Sequence, residues 1–108
     1  MSKYKIKILQ IAREDIGEIF FYIAADSPKS ALAMTDKIND KIDTLAEFPL
    51  VGKIVPDNEL AKQEYRLLII DSYIVFYKVI DDEVVVYRVF YGMRDYPDLL
   101  DHFALWIE

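Results

Sequence analysis

The stretch between residues 64 and 91 constrains the fold most. Three apolar segments, 64–70, 73–80 and 83–91, are separated only by Asp71-Ser72 and Asp81-Asp82. Each is rich in Val, Ile, Tyr and Phe, side chains that suit a pleated, half-buried surface. Two-residue separators are the commonest hairpin connections, so the stretch reads as an antiparallel three-stranded meander. A sheet of this kind has an apolar face to hide, and the rest of the chain must supply its cover.

The first half has the patterning to do so. Residues 3–9 alternate, with Lys3, Lys5 and Lys7 on one side and Tyr4, Ile6 and Ile8 on the other, which is the period of a strand. A lysine-lined strand suits a sheet edge, where charge deters pairing with another chain, and this reading is preferred to a nucleic-acid contact. From Ala12 the period lengthens. Ala12, Ile16, Ile19, Phe20 and Ile23 form the stripe of an amphipathic helix. Glu14, Asp15 and Glu18 are expected in its first turns, near the positive end of the dipole. Asp26-Ser27-Pro28 interrupts the pattern, with Ser27 a natural N-cap and Pro28 a natural first helical residue. A second helix is expected to about Phe48, with Ala31, Met34 or Thr35, Ile38, Ile42 and Leu45 facing inward. So short a corner makes the two an antiparallel hairpin. Pro49 ends it, because the residue before proline is kept out of helical geometry, and a polar, irregular connection is expected to about Lys62.

The element order is therefore β-α-α-β-β-β, an α+β fold with a helical hairpin packed on one face of an antiparallel sheet. With 108 residues, the chain is expected to form a single domain over 1–108. Residues 101–108 carry an apolar tail, Phe103-Ala104-Leu105-Trp106-Ile107, expected either to pack on its own core or to mark a partner groove.

Composition narrows the chemistry. The absence of cysteine rules out disulfides, thiolate nucleophiles and cysteine metal sites. No run nears the roughly 18 apolar residues of a membrane span, and no secretory pattern opens the chain. A soluble, cytoplasmic protein is expected. No metal cluster or phosphate-binding glycine loop is evident, so no metal or cofactor is expected. Gly52 and Gly92 read as backbone punctuation. The net charge of −6 opposes broad attachment to nucleic acid or anionic lipid. From Gln63 onward four Lys/Arg stand against nine Asp/Glu, whereas residues 1–62 have nine against ten. The late arginines are thus conspicuous in negative surroundings.

Strand register decides which of them meet. Two-residue turns place Ile70 opposite Tyr73 and Ile80 opposite Glu83. Arg66 then faces Tyr77, which faces Val86, while Leu68 faces Val75, which faces Arg88. Parity puts Arg66, Tyr77 and Arg88 on one side of the sheet. Tyr65, Phe76, Tyr87 and Tyr91, with Leu67, Ile69 and Val89, are expected on the other, and a one-residue slip would break the grouping. Arg88, amid apolar residues, has two open readings. One is a partly buried guanidinium paired with a carboxylate. The other is a guanidinium displayed to grip phosphate or a partner's carboxylate.

Tyr65-Arg66-Leu67-Leu68, Tyr73-Ile74-Val75-Phe76-Tyr77-Lys78-Val79 and the final Val86-Tyr87-Arg88-Val89-Phe90-Tyr91-Gly92-Met93-Arg94-Asp95 together resemble the RelE/ParE toxin superfamily. Its strands follow a Tyr-Arg, then a Tyr-x-x-Phe-Tyr, then a His-Gly-x-Arg-Asp pattern. The Tyr22-Ile23-Ala24 helix end and the Leu45–Gly52 corner agree, and Tyr96-Pro97-Asp98-Leu99-Leu100 resembles the tail of the ParE-like branch. The resemblance spans roughly residues 4–100. It implies the toxin half of a type II toxin–antitoxin (plasmid stabilisation) pair, neutralised by a small antitoxin and meeting operator DNA only through that partner.

The superfamily holds two mechanisms. RelE-like members cut mRNA in the ribosomal A site, and ParE-like members poison DNA gyrase. Arg66, Arg88 and Arg94 match positions where the ribonucleases carry functional basic residues, and Tyr91 stands where histidine is more frequent. These four are the candidate catalytic residues if the chain is an endoribonuclease, and otherwise candidate target or antitoxin contacts. RNA cleavage needs a base, an acid and cations for the phosphorane. Tyrosine, with a free pKa of about 10, is a poor base, and His102 lies outside the matched strands. With the acidic balance, this favours the gyrase-directed branch over a ribosome-dependent endoribonuclease. A degenerate, non-toxic antitoxin binder is the third possibility.

Overall fold

The computed structural model describes residues 3–55 and 58–92. Strand β1 (Lys5–Ile8) leads directly into helix α1 (Gln10–Ala24), followed by α2 (Pro28–Asp43) and a 3-10 turn (Thr44–Ala46). Then come β2 (Lys53–Ile54), α3 (Asn58–Lys62) and the meander β3 (Arg66–Ile70), β4 (Tyr73–Ile80) and β5 (Glu83–Tyr91). The five strands form one sheet in the order β1-β5-β4-β3-β2.

The sheet is mixed, which corrects the expectation of an antiparallel one. The meander pairs antiparallel, but β1 lies parallel to β5, with Lys5 beside Glu83 and Ile8 beside Val86. The reason is topological: the helical hairpin returns the chain to the far side of the sheet, as in a crossover connection. β1 is an edge strand with Lys5 and Lys7 exposed, in keeping with its lysine pattern.

Local signals explain the helices. Ser27 caps α2, its hydroxyl accepting from the Ser30 amide at 3.1 Å, and Pro28 occupies the first turn. The inward face of α2 is Ala31, Thr35, Ile38 and Ile42, with Leu45 continuing it in the 3-10 turn. Thr35 satisfies its hydroxyl on the Ala31 carbonyl at 3.0 Å. α1 begins at Gln10, earlier than its apolar stripe, so no acidic residue lies in its first turn. The expected dipole role of Glu14, Asp15 and Glu18 is therefore replaced by positions further along the helix.

Both helices cover one face of the sheet. Ala12, Ile19, Ile38 and Ile42 pack with Tyr73, Val75, Tyr77, Val84, Val86 and Val89. The segment expected to be an irregular connection instead closes part of the opposite face. There Val55 and Leu60 are buried with Tyr65, Leu67, Ile74, Phe76 and Phe90, and Tyr65 stacks on Phe76 with ring centres 5.0 Å apart. The apolar pairs Ile54-Val55 and Leu60-Ala61 in an otherwise polar stretch were the signal for this.

The β3–β4 register is the expected one, with Ile70 opposite Tyr73, Leu68 opposite Val75 and Arg66 opposite Tyr77. Between β4 and β5, Ile80 pairs with Glu83 and Tyr77 with Val86, but the register then shifts. Phe76 pairs with Arg88 and Val75 with Val89, not Arg88. A bulge places one extra residue in β5. Val89 consequently turns to the helix-covered face and Tyr91 packs at a tilt against Tyr73, with ring centres 5.3 Å apart. The expected placement of Val89 and Tyr91 on the opposite face is corrected accordingly.

Candidate functional site

Arg88 projects from the bulge toward α1. Its Nε donates to Asp15 Oδ2 at 2.7 Å and its Nη2 to Oδ1 at 2.9 Å, a bidentate pair. The Val89 amide donates to the same Oδ2 at 3.0 Å. One carboxylate thus holds both the guanidinium and the backbone of the bulge. The side chains are 16% and 10% exposed, and the hydrogen bonds that Arg88 donates to Asp15 hold its pKa above the ordinary value. The Arg88 guanidinium also lies over the Phe90 ring, 5.3 Å from its centre. Of the two readings of Arg88, the geometry realises the carboxylate-paired one. Asp15 was not expected in that role. The signal was present, because Asp15 sits three residues after Ala12 and four before Ile19 on the apolar stripe of α1. A carboxylate on a buried helix face and an arginine in an apolar strand are complementary oddities.

Arg66 is committed elsewhere. Its Nη1 donates to the carbonyls of Gly52 at 2.8 Å and Leu50 at 3.2 Å. Beneath it the Tyr77 hydroxyl donates to the Pro49 carbonyl at 2.8 Å and accepts from the Gly52 amide at 2.9 Å. Burial raises the Tyr77 pKa, opposed by the Gly52 amide and the Arg66 charge. Arg66 and Tyr77 together pin the corner before β2. A Cβ at position 52 would lie 2.5 Å from the Tyr77 hydroxyl and 2.8 Å from the Leu67 carbonyl, so glycine is required for this approach.

Arg66 and Tyr77 are opposite one another, as parity anticipated, but the bulge pairs Arg88 with Phe76 instead of Val75, so the expected grouping of Arg66, Tyr77 and Arg88 on one face is corrected and their polar ends reach separate partners. Tyr91 is 58% exposed and stands at the rim of a cleft of about 470 Å³ between α1 and the end of β5. Asp15, Glu18, Ile19, Tyr22, Tyr73 and Arg88 are among its lining residues. Burial and the neighbouring hydroxyls of Tyr91 and Tyr22 raise the Tyr73 pKa. Tyr22 and Tyr73 were not foreseen as parts of one surface with Tyr91. The bulge that assembles them has no marker residue in β5. Arg94, His102, the 96–100 motif and the apolar tail lie outside the described residues. Among the described residues, no helix is long and apolar enough to cross a membrane and no cluster of His, Asp and Glu could hold a metal ion.

The comparisons agree on kinship. Residues 6–96 match the family described as the ParE toxin of the type II toxin–antitoxin system parDE. A Sinorhizobium fredii protein named "Putative toxin Y4kP" is 30% identical over 100 residues, covering 93% of this chain and 100% of that protein. Among solved structures, a chain of the chromosomal ParDE system from P. aeruginosa has a TM-score of 0.70 at 17% identity, covering 83% of this chain and 97% of that one. The RelBE2 toxin–antitoxin complex from Mycobacterium tuberculosis gives 0.61 at 24% identity over 82% and 98%. A double-arginine mutant of the E. coli toxin RelE in the free state gives 0.62 at 18% over 98% and 99%. These three share the α+β fold of two helices on a mixed sheet. The chain belongs to the ParE toxin family of type II toxin–antitoxin systems, within the RelE/ParE superfamily.

Proposed function

We propose that this toxin inhibits DNA gyrase by protein–protein contact, as a single cytoplasmic domain spanning 1–108, and is neutralised by a small antitoxin that alone contacts operator DNA. The observation that carries this reading is the commitment of its arginines. A ribonuclease would need Arg66 and Arg88 to converge on a scissile phosphate and stabilise the charge of the phosphorane. Here Arg88 is held by Asp15 and Arg66 by the carbonyls of Leu50 and Gly52. Both cations serve the folded chain itself. The net charge of −6 also opposes entry into an RNA-rich site. Tyr91 and Arg94 remain candidate contacts with the target or the antitoxin. The test is supercoiling by purified gyrase in the presence of this protein. Inhibition that is relieved by the cognate antitoxin is expected, and full activity at large molar excess of the toxin contradicts the reading.

A further inference from the structure

The cleft between α1 and the end of β5 has a composition that points to a particular occupant. Its rim carries Tyr22, 79% exposed, and Tyr91, while Tyr73 forms the inner wall. An exposed cluster of tyrosines is unusual on a chain that folds alone and is enriched where proteins meet. Among the described residues, the charged groups lining the cleft are Asp15, Glu18 and Arg88. Asp15 and Arg88 are bidentately paired and cancel one another. Glu18, exposed on α1, also acts on the Arg88 charge and leaves these three groups with one net negative charge. From Glu14 to Asp26 the chain has four carboxylates and no Lys or Arg, and the last turn of α1 has no basic residue to offset the negative end of its dipole. The wall is therefore aromatic and the field negative.

We infer that this cleft receives an arginine or lysine side chain from a basic segment of a partner protein, seated against the faces of Tyr22, Tyr73 and Tyr91 and paired with Glu18. Aromatic faces attract a cation through their quadrupoles, and a carboxylate at the mouth adds direction. Charge complementarity selects a basic segment over an acidic one. An apolar segment would gain the aromatic surface but leave Glu18 unmatched. The bulge held by Asp15 is integral to the site, because it is what turns Tyr91 onto the same face as Tyr73.

The inference is independent of gyrase and is tested without it. The full-length protein, with its tyrosine rings isotopically labelled, is titrated with a short peptide carrying arginine between leucines. A second titration uses the same peptide with citrulline, which keeps the shape and removes the charge. Ring signals of Tyr22, Tyr73 and Tyr91 are expected to move with the arginine peptide, and binding is expected to weaken about tenfold or more with citrulline. Glu18→Lys and Tyr22→Ala, both at exposed positions, are each expected to reduce binding while the remaining spectrum stays that of the folded chain. Equal binding of the citrulline peptide would make the cleft a merely apolar groove and overturn the inference. So would unchanged affinity in both variants, or ring signals that do not respond to either peptide.

Discussion

At the scale of single residues, the least replaceable side chains are those that hold the backbone in unusual places. Asp15 and Arg88 form a nearly buried pair that also anchors the Val89 amide. Removing one partner of such a pair leaves an uncompensated charge and costs about 3–5 kcal/mol. Arg88→Ala and Asp15→Ala should each lower stability by that order in urea denaturation, whereas the double change Asp15→Leu with Arg88→Met should recover much of the loss. The consequence for functional work is direct: loss of toxicity in Arg88→Ala would report unfolding as readily as chemistry. Gly52 is the second such residue. Gly52→Ala drives a Cβ against the Tyr77 hydroxyl and the Leu67 carbonyl, and overpacking of this kind costs about 1–3 kcal/mol. Tyr77→Phe should cost a similar ~1–3 kcal/mol, because it strands the buried Gly52 amide. The tyrosines also set an alkaline limit. Burial and the neighbouring Tyr87 push Tyr65 from 10.0 up to about 12, and Tyr73 and Tyr77 are raised as well. Folding keeps these phenols neutral while the unfolded chain ionises at its ordinary value. Stability is therefore unaffected by them below about pH 10 and falls as pH rises from there through about 12. A phenolate absorbance titration run beside circular dichroism should show late-ionising tyrosines whose titration coincides with unfolding.

At the scale of elements, the hairpin turns work without glycine. Asp71 and Asp81 take positive φ values of 53° and 55°, a region that Asp tolerates better than most side chains. Asp71 is further held by Lys37 of α2 at 2.8 Å, which ties the β3–β4 turn to the helical layer. Asp81 has no such tie among the salt bridges of the described residues, so it isolates the backbone term. Asp81→Gly should be neutral or stabilising by up to ~1 kcal/mol, and Asp81→Val should cost ~1–2 kcal/mol, read from thermal melts. The meander, its turns, the α2 cap and the buried stripe of α2 were legible because each rests on a local rule of spacing or capping. The parallel pairing of β1 was not, because alternation fixes a strand's faces and says nothing of its neighbour's direction. The β5 bulge was also hidden. Its cause is a carboxylate 73 positions earlier in the chain, and nothing in Val86-Tyr87-Arg88-Val89 marks it locally. The candidate site was therefore half legible. Arg66 and Tyr77 could be paired by counting, while the shift that takes Arg88 out of their group and brings Tyr91 beside Tyr73 needed the tertiary contacts.

At the scale of the whole molecule, the two faces of the sheet are closed differently. The helical hairpin covers one, and Val55 and Leu60 cover part of the other. The arginines that suggested chemistry are used in this closure, Arg88 joining β5 to α1 and Arg66 joining β3 to the corner before β2. Among the described residues, the α1–β5 end presents the exposed Tyr22 and Tyr91, and tyrosine is enriched where proteins meet. The toxin is therefore proposed to act by binding. The most direct test incubates one preparation of the full-length protein with gyrase and plasmid, and with a translating ribosome and its message. Cleaved plasmid is expected to accumulate in the gyrase reaction, with the message left intact. Intact, fully supercoiled plasmid together with codon-positioned cuts in the message would contradict it.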